Sequence, residues 1–468
     1  MDNFWRAASR VKPLSRCKIE ASELNKCLTL VDLVAYGVGC SVGAGVYSLV
    51  GVGAQIAGPS ISLSFLVSGI ACIFTSLTYS EFAARVPVTG SAYTFVYITF
   101  GELAAWLIGW NLTLGYGISA AGISRSWASY VHRFLQQWGL DFPHWLFQIK
   151  ILSVNCSILA ALLIICCTFI LLAGVHESAK FNAFVTLLNV SVLIFVMAFG
   201  STEMDAAYWQ PFMPAGFHGV LTGAGVVFFA YLGFDMVACL AEEVHEPQRT
   251  LPKGIIGSLV ISMTIYVGVS LIVTGMAPID ILGKDVPLIN AFSFHNAPWA
   301  GQIVSFGSIF GLTTAAFTCL MGQPRIFYQM AKDGLMPSLF AKLHDRSQVP
   351  VASTIFTGAL VASIAFIFDL SFLANVISCG TLQVFTFVNA VCRCLSCKVD
   401  NLVATFQCPL VPFVPCMGIL ANVYMVSSIP SEGWIGVLIW SGVGLIAYLC
   451  YGIRNSLLND PAILQPLI

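Results

Sequence analysis

Charge is what this sequence has least of. Asp, Glu, Lys and Arg make up 9% of its 468 residues, where soluble domains run near ~25%. That scarcity excludes an ordinary water-exposed globular surface. A net charge of −1 singles out no partner class, and no nucleic-acid partner is expected. No stretch is long and polar enough to form a separate soluble domain. Histidine is rare, at 7 residues, and no His, Cys, Asp and Glu grouping has metal-site spacing. No nucleophile sits beside a base in a recognisable pattern. The chain therefore reads as a non-enzyme with no metal and no cofactor. Its 16 cysteines lack the spacing of a secreted disulfide framework and read as small buried hydrophobes. Cys392, Cys394 and Cys397 cluster at one span end, and an inert trio is preferred there over palmitoylation.

What is present is apolar length. Hydrophobic residues reach 58% and mean hydropathy is +0.86, as in an integral membrane protein whose partner is the lipid bilayer. The expected fold is all-α with about 12 transmembrane helices, at 31–54, 61–84, 98–124, 151–173, 181–200, 219–244, 254–276, 300–331, 350–368, 371–391, 409–429 and 433–452. A basic arm (1–30) precedes a ten-helix core (31–391), followed by a linker (392–408), a helix pair (409–452) and a tail (453–468). The link at 277–299 has the character of a short interfacial helix. With the N-terminus inside, inner segments carry 17 of the 21 Lys and Arg residues. The outer links carry Arg125, Arg133, Lys150 and Lys284. This bias places both termini in the cytosol.

Two spans are interrupted. Residues 37–45 read GVGCSVGAG inside the first apolar segment. Unpaired backbone is expensive in lipid and tolerated only where it lines a cavity or binds something. Residues 226–235, VVFFAYLGFD, place a glycine and a carboxylate near the middle of the sixth span. Breaks five spans apart point to inverted repeats, about 31–200 and 219–391, with a substrate at their interface. Close helix packing by small residues is the competing reading for either glycine site alone. The Gly-x-Gly spacing follows no strand, which excludes a dinucleotide fingerprint.

A free amino acid suits such a site. Ser41, Gly43, Ala44 and Gly45 offer N–H groups and a helix-start dipole to its carboxylate. The carbonyls of Cys40, Phe229, Ala230 and Leu232 face its ammonium. Phe229 or Tyr231, or else Phe228, covers the ligand as a gate. Asp235 either holds the broken helix open by accepting N–H bonds or attracts a cationic substrate. Glu102 either favours its own helix dipole or acts in cation attraction or gating. Glu81 reads as a helix-surface pair with Arg85, and Asp369 as solvated. Glu242, Glu243 and Glu246 read as inner-gate or loop-ordering groups.

The stretches 37–47 (GVGCSVGAGVY), 79–93 (YSEFAARVPVTGSAY), 101–114 (GELAAWLIGWNLTL), 227–252 (VFFAYLGFDMVACLAEEVHEPQRTLP), 323–337 (QPRIFYQMAKDGLMP) and 408–415 (CPLVPFVP) carry a resemblance. The chain resembles the cationic amino acid transporters of the amino acid–polyamine–organocation superfamily, plant members especially. The resemblance implies a broken-helix fold of the leucine-transporter type and amino acid uptake by alternating access. It implies arginine, lysine or ornithine as substrates, although some relatives prefer neutral amino acids. A neutral amino acid or polyamine permease and a non-transporting amino acid sensor are the alternatives. Eukaryotic members usually have fourteen spans, and here the tenth runs almost directly into the last pair. The chain is also about four residues shorter than the family pattern between Cys319 and Gln323. Proton-coupled bacterial relatives carry a lysine where this chain has Asn189, so facilitated diffusion is implied. Plasma membrane and vacuole both remain open as locations.

Overall fold

The computed structural model describes residues 5, 7–13, 28–86, 90–140, 143–151, 154–173, 179–344, 349–398 and 405–459. The first helix, α1 (Leu30–Ser41), starts at a capping box. Thr29 Oγ1 accepts from the Asp32 N–H at 3.4 Å, and the Asp32 carboxylate accepts from the Thr29 N–H at 2.9 Å. This pairing satisfies helix-start donors that have no intrahelical partner. The helix stops at residues 42–43 and resumes as α2 (Ala44–Tyr47) and α3 (Leu49–Ala57). Gly58, at φ +70°, makes the turn into α4 (Ile61–Arg85). Next come α5 (Ser91–Thr99) and α6 (Glu102–Thr113), which continues through a widened turn at Leu114–Ile118 into α7 (Ser119–Gln137).

The remaining helices are α8 (Ile158–Leu172), α9 (Ala179–Gly200), α10 (Gly216–Val227), α11 (Pro247–Met276) and α12 (Pro287–Phe294). They are followed by α13 (Pro298–Lys332), α14 (Val351–Ile367), α15 (Leu370–Lys398), α16 (Phe413–Ser428) and α17 (Ser431–Ala447). The chain is thus a helical integral membrane protein. Among the described residues, seven helical stretches are long and apolar enough to cross a membrane, and α1, α8, α14 and α16 are shorter apolar helices. Helix length alone does not reproduce twelve spans, because α1, α8, α14 and α16 are short and the helix through α6 and α7 is not among the seven. Peripheral apolar side chains face outward, with Leu187 65% and Leu438 66% exposed. Lipid accepts such a surface and water does not.

Several boundaries differ from the sequence reading. The helix expected to end at 124 runs on to Gln137, so Arg125 and Arg133 lie on a helix rather than in a link. Its surface becomes more polar there, which weakens an apolar-window criterion without ending the helix. Residues expected to open the fourth span instead form an antiparallel hairpin, β1 (Ile149–Ile151) with β2 (Val154–Cys156). Helix α15 extends through Lys398, into the segment read as a linker, while most of the arm, 460–468 of the tail and 399–404 of the linker lie outside the described residues. Helix α13 is unbroken over 35 residues, across the place where the sequence falls short of the family pattern. The interfacial helix expected within 277–299 is α12.

Hydroxyls staple the interior. Ser64 Oγ donates to the Val220 carbonyl at 2.8 Å and Ser68 Oγ to the Ala224 carbonyl at 2.6 Å, tying α4 to α10. The Trp110 and Trp440 indoles stack at 4.8 Å and each donates to the other's backbone carbonyl, docking α17 on α6. Glu81 pairs with Arg85 as the i, i+4 spacing expects, but the carboxylate is buried and also accepts from the Cys408 N–H at 3.0 Å.

Described segments near both ends of the chain meet around Asp333. Lys12 Nζ pairs with Asp333 Oδ1 at 2.8 Å, and Asp333 Oδ2 accepts from Tyr93 at 2.8 Å. The Leu457 N–H donates to the Asp333 carbonyl at 3.1 Å. Glu102 belongs to this cluster: fully buried, it accepts from Tyr97 (3.1 Å), Tyr448 (3.0 Å) and Ser456 (2.6 Å). Replacing Glu102 with Ala leaves three buried hydroxyls without their acceptor. Hydrogen bonds to a charged group are worth roughly 1.5–3 kcal/mol each, so the expected loss is about 3 kcal/mol after relaxation. Thermal unfolding in detergent should show a clear drop for Glu102→Ala and a smaller one for Glu102→Gln, which keeps an acceptor.

Candidate substrate site at two interrupted helices

The first break is held open by side chains from three helices. Val42 (φ −79°, ψ 73°) and Gly43 (φ −131°, ψ −125°) leave the helical conformation. Their N–H groups donate locally, from Val42 to the Val38 carbonyl at 2.7 Å and from Gly43 to the Ser41 carbonyl at 2.8 Å. The Val42 carbonyl, freed from the helix, accepts from Asn189 Nδ2 of α9 at 2.8 Å. The same Asn189 accepts a bond from the Tyr47 hydroxyl through Oδ1. The Ser41 carbonyl accepts from the Tyr266 hydroxyl of α11 at 2.6 Å, and the Tyr47 carbonyl from Tyr130 of α7 at 2.7 Å. Ala44 and Gly45 begin α2 behind Gly43, which offers no side-chain cap. Their N–H groups therefore precede any intrahelical acceptor.

The second break follows α10. The helix tightens to a 3₁₀ turn at Phe228–Tyr231, opens at 232–234 and re-forms as a 3₁₀ stretch, Asp235–Glu243. Gly233 sits at φ +131°, which a side chain would strain. The Gly233 N–H donates to Asp235 Oδ1 at 3.2 Å. The Met236 N–H donates to the Gly233 carbonyl at 3.2 Å, closing the same turn. The Asp235 carboxylate thus accepts from the backbone of its own interrupted segment. Ser378 of α15 accepts from the Phe229 N–H at 3.1 Å, and the Leu232 N–H returns to the Phe229 carbonyl at 3.3 Å.

The two breaks touch. A Cβ built at Gly45 would lie 2.7 Å from Ala230 Cα, and one at Gly233 would lie 2.7 Å from Cys40 Cβ and 2.8 Å from Ser41 Oγ. Tyr266 spans the contact, its hydroxyl 2.6 Å from the Ser41 carbonyl and 2.8 Å from the Ala230 carbonyl. One face of the first break meets α13, where a Cβ on Gly43 would come within 3.0 Å of Ala315 Cβ.

The structure therefore brings Cys40, Ser41, Gly43, Ala44, Gly45, Ala230 and Leu232 into one buried cluster. The three aromatic residues diverge from it. Phe229 reaches toward α7, with its ring tip 3.3 Å from a Cβ built at Gly122. Phe228 packs on Phe385 at 5.7 Å, and Tyr231 donates to the Phe65 carbonyl of α4 at 2.6 Å. Glu102 is bonded into the terminal cluster instead. Glu246 lies 3.8 Å from Arg249 in an exposed pair, while the side chains of Glu242 and Glu243 lie outside the described residues. Sequence reasoning missed Tyr266, Tyr130 and Ser378. Tyr266 and Ser378 are single hydroxyls in apolar spans, Tyr130 falls beyond the third span as read from sequence, and none has a spacing signal.

A family profile described as amino acid permease matches residues 28–443. The chain is 36% identical to a methylthioribose transporter of Bacillus subtilis, over 96% of this chain and 99% of that one. It is 36% identical to the branched-chain amino acid permease BcaP of the same organism, covering 93% and 95%. A vacuolar cationic amino acid transporter 4 of Arabidopsis thaliana is 33% identical, covering 94% and 93% over 563 aligned positions. That alignment exceeds the 468 residues here, so the plant relative carries insertions where the bacterial ones match end to end.

The contact between the breaks makes Gly45 sensitive to any added side chain. Gly45→Ala forces a methyl against Ala230 Cα, and overpacking of this kind costs about 1–3 kcal/mol. Gly442→Ala, where a Cβ meets nothing within 4 Å, should unfold at the wild-type temperature. Equal melting temperatures for the two variants would contradict the packing described.

Proposed function

The chain belongs to the amino acid permease family, and we propose that it carries free amino acids across the membrane by alternating access at the paired breaks. The observation that carries this reading is the contact between two unwound segments, which places backbone donors and acceptors opposite each other inside an apolar bundle. The substrate carboxylate takes the N–H groups of Ala44 and Gly45, then that of Gly43 with the Ser41 hydroxyl. Its ammonium takes the carbonyls of Cys40, Phe229, Ala230 and Leu232. Gly43, Phe229 and Ala230 now spend their groups on local or Tyr266 bonds, so binding exchanges those bonds for substrate bonds. With Gly45 against Ala230, the segments must part to admit a ligand. That parting is the access step in this reading, with Tyr266 as the clasp of the closed form and Phe229 as the gate toward α7.

The same reading takes the core as two inverted five-helix repeats within twelve spans, with both termini cytosolic on the positive-inside count. Asn189 bonds the break where proton-coupled relatives carry a lysine. Its amide has no proton to exchange near neutral pH, which supports facilitative movement. The plasma or vacuolar membrane is the proposed location.

Two substrate classes have support. A neutral side chain fits best with the fate of the buried acids. Asp235 accepts from the Gly233 N–H, Glu102 from three hydroxyls, and Glu81 pairs with Arg85. The branched-chain permease relative supports the same choice. The cationic class, arginine, lysine or ornithine, is supported by the plant relative's name and by the motif resemblance.

Uptake into liposomes holding the purified protein separates the classes. Labelled leucine, arginine, putrescine and methylthioribose are the four probes. Leucine uptake without arginine uptake supports the neutral class, and the reverse supports the cationic one. Binding of either without flux points to a sensor. Gly43→Val, which drives a branched side chain at Ala315, should cut uptake about a hundredfold or more, as misplacement at a binding centre does. A protonophore should leave the wild-type initial rate unchanged, and a collapse of uptake would contradict the facilitative assignment.

A further inference from the structure

The bundle holds a cavity of about 290 Å³. It lies where the outer part of the first span, α7, the hairpin and the links before α12 and α15 converge. Its position is tied to the first break. The Ser48 N–H donates to the Ala44 carbonyl at 3.0 Å, and Ser48 Oγ donates to the Asp285 carbonyl at 2.9 Å. The wall of the cavity and the start of α2 are thus one connected segment.

Arg125 is the unusual group here. It is 9% exposed, and its Nη2 donates to the Asn155 carbonyl of the hairpin at 3.0 Å. Its Nη1 is buried without a hydrogen-bond partner. A buried guanidinium donor left unpaired is costly and asks for an anionic acceptor. Asp285 and Asp369 line the same cavity and lie in the electrostatic field of Arg125. Neither closes an ion pair with it within 4.0 Å. Lys284 is the fourth charge on the wall. Two positive and two negative groups balance to zero while remaining spatially separate. A ligand carrying both signs matches that pattern better than a simple anion or cation.

We propose that this cavity is a second, outer binding site for a zwitterionic amino acid, occupied before the ligand passes to the paired breaks. The choice of ligand rests on the permease reading above. The substrate carboxylate pairs with Arg125 Nη1 and its ammonium with the carboxylates of Asp285 and Asp369. The volume, near the lower end of the ~300–1,000 Å³ of small-ligand pockets, suits a ligand of that size. Movement of the Ser48 segment links occupancy here to the break at 42–43.

Equilibrium binding of labelled L-leucine and L-arginine to the full chain in lipid nanodiscs tests this. The expected stoichiometry is two per chain for the transported amino acid. Arg125→Gln should remove one site and leave the affinity of the other unchanged. Asp285→Asn and Asp369→Asn guard against misfolding of the arginine variant, and each should weaken the same site by about tenfold, the loss of one charge-assisted contact. Gly43→Val should remove the other site. One site that vanishes in Gly43→Val but ignores Arg125→Gln overturns the outer site and leaves the transport reading intact. One site that vanishes in Arg125→Gln but ignores Gly43→Val upholds the outer site and overturns the paired-break reading. No binding of either amino acid overturns both.

Discussion

The backbone cannot go unpaired in the middle of an apolar bundle, and the arrangement around the first break answers to that constraint. Opening a helix at 42–43 frees carbonyls that lipid would not satisfy. Asn189 takes the Val42 carbonyl, Tyr266 takes that of Ser41, and Tyr130 takes that of Tyr47. Three separate helices thus hold one break. The second break is held by Ser378 and by the Asp235 carboxylate of its own segment. Small residues then let the two breaks meet, because Gly45 and Gly233 offer no Cβ to keep Ala230 and Cys40 away. Satisfied backbone and close approach are the same design seen from two sides.

That design separates recognition from structure. Side chains do much of the work of holding the breaks, and in the proposed reading a ligand takes mainly backbone groups. Charges are deployed elsewhere. Lys12, Asp333 and Glu102 gather segments near both ends of the chain, and Arg125, Lys284, Asp285 and Asp369 gather around the cavity. Between them, Asp235 accepts from the backbone of the second break.

Much of this was legible from sequence where composition and period carry it. The membrane class followed from charge scarcity, and the glycine run at 37–45 and the Gly233–Asp235 pair pointed to both interruptions. Side-chain direction was not legible. Glu102 looked like a candidate for cation attraction because acids in spans are costly, yet three hydroxyls from elements up to 354 residues distant converge on it. Tyr266 carried no signal at all, since a lone tyrosine in an apolar helix is unremarkable until its neighbours are known. The start of the fourth span was placed at 151, over the strand residues Ile151 and Val154–Cys156, because isoleucine and valine look alike in a helix or a strand. Arg125 was assigned to a link, because a charged residue ends an apolar window even where the helix continues.

The central claim is that the paired breaks read the parts common to all amino acids. Competition against labelled substrate in liposomes, comparing each free amino acid with its methyl ester and with the amine lacking the carboxylate, tests it most directly. The account expects free amino acids to compete while the ester and the amine fail, whatever the side chain. Ester and amine competing as well as the parent amino acid would contradict it.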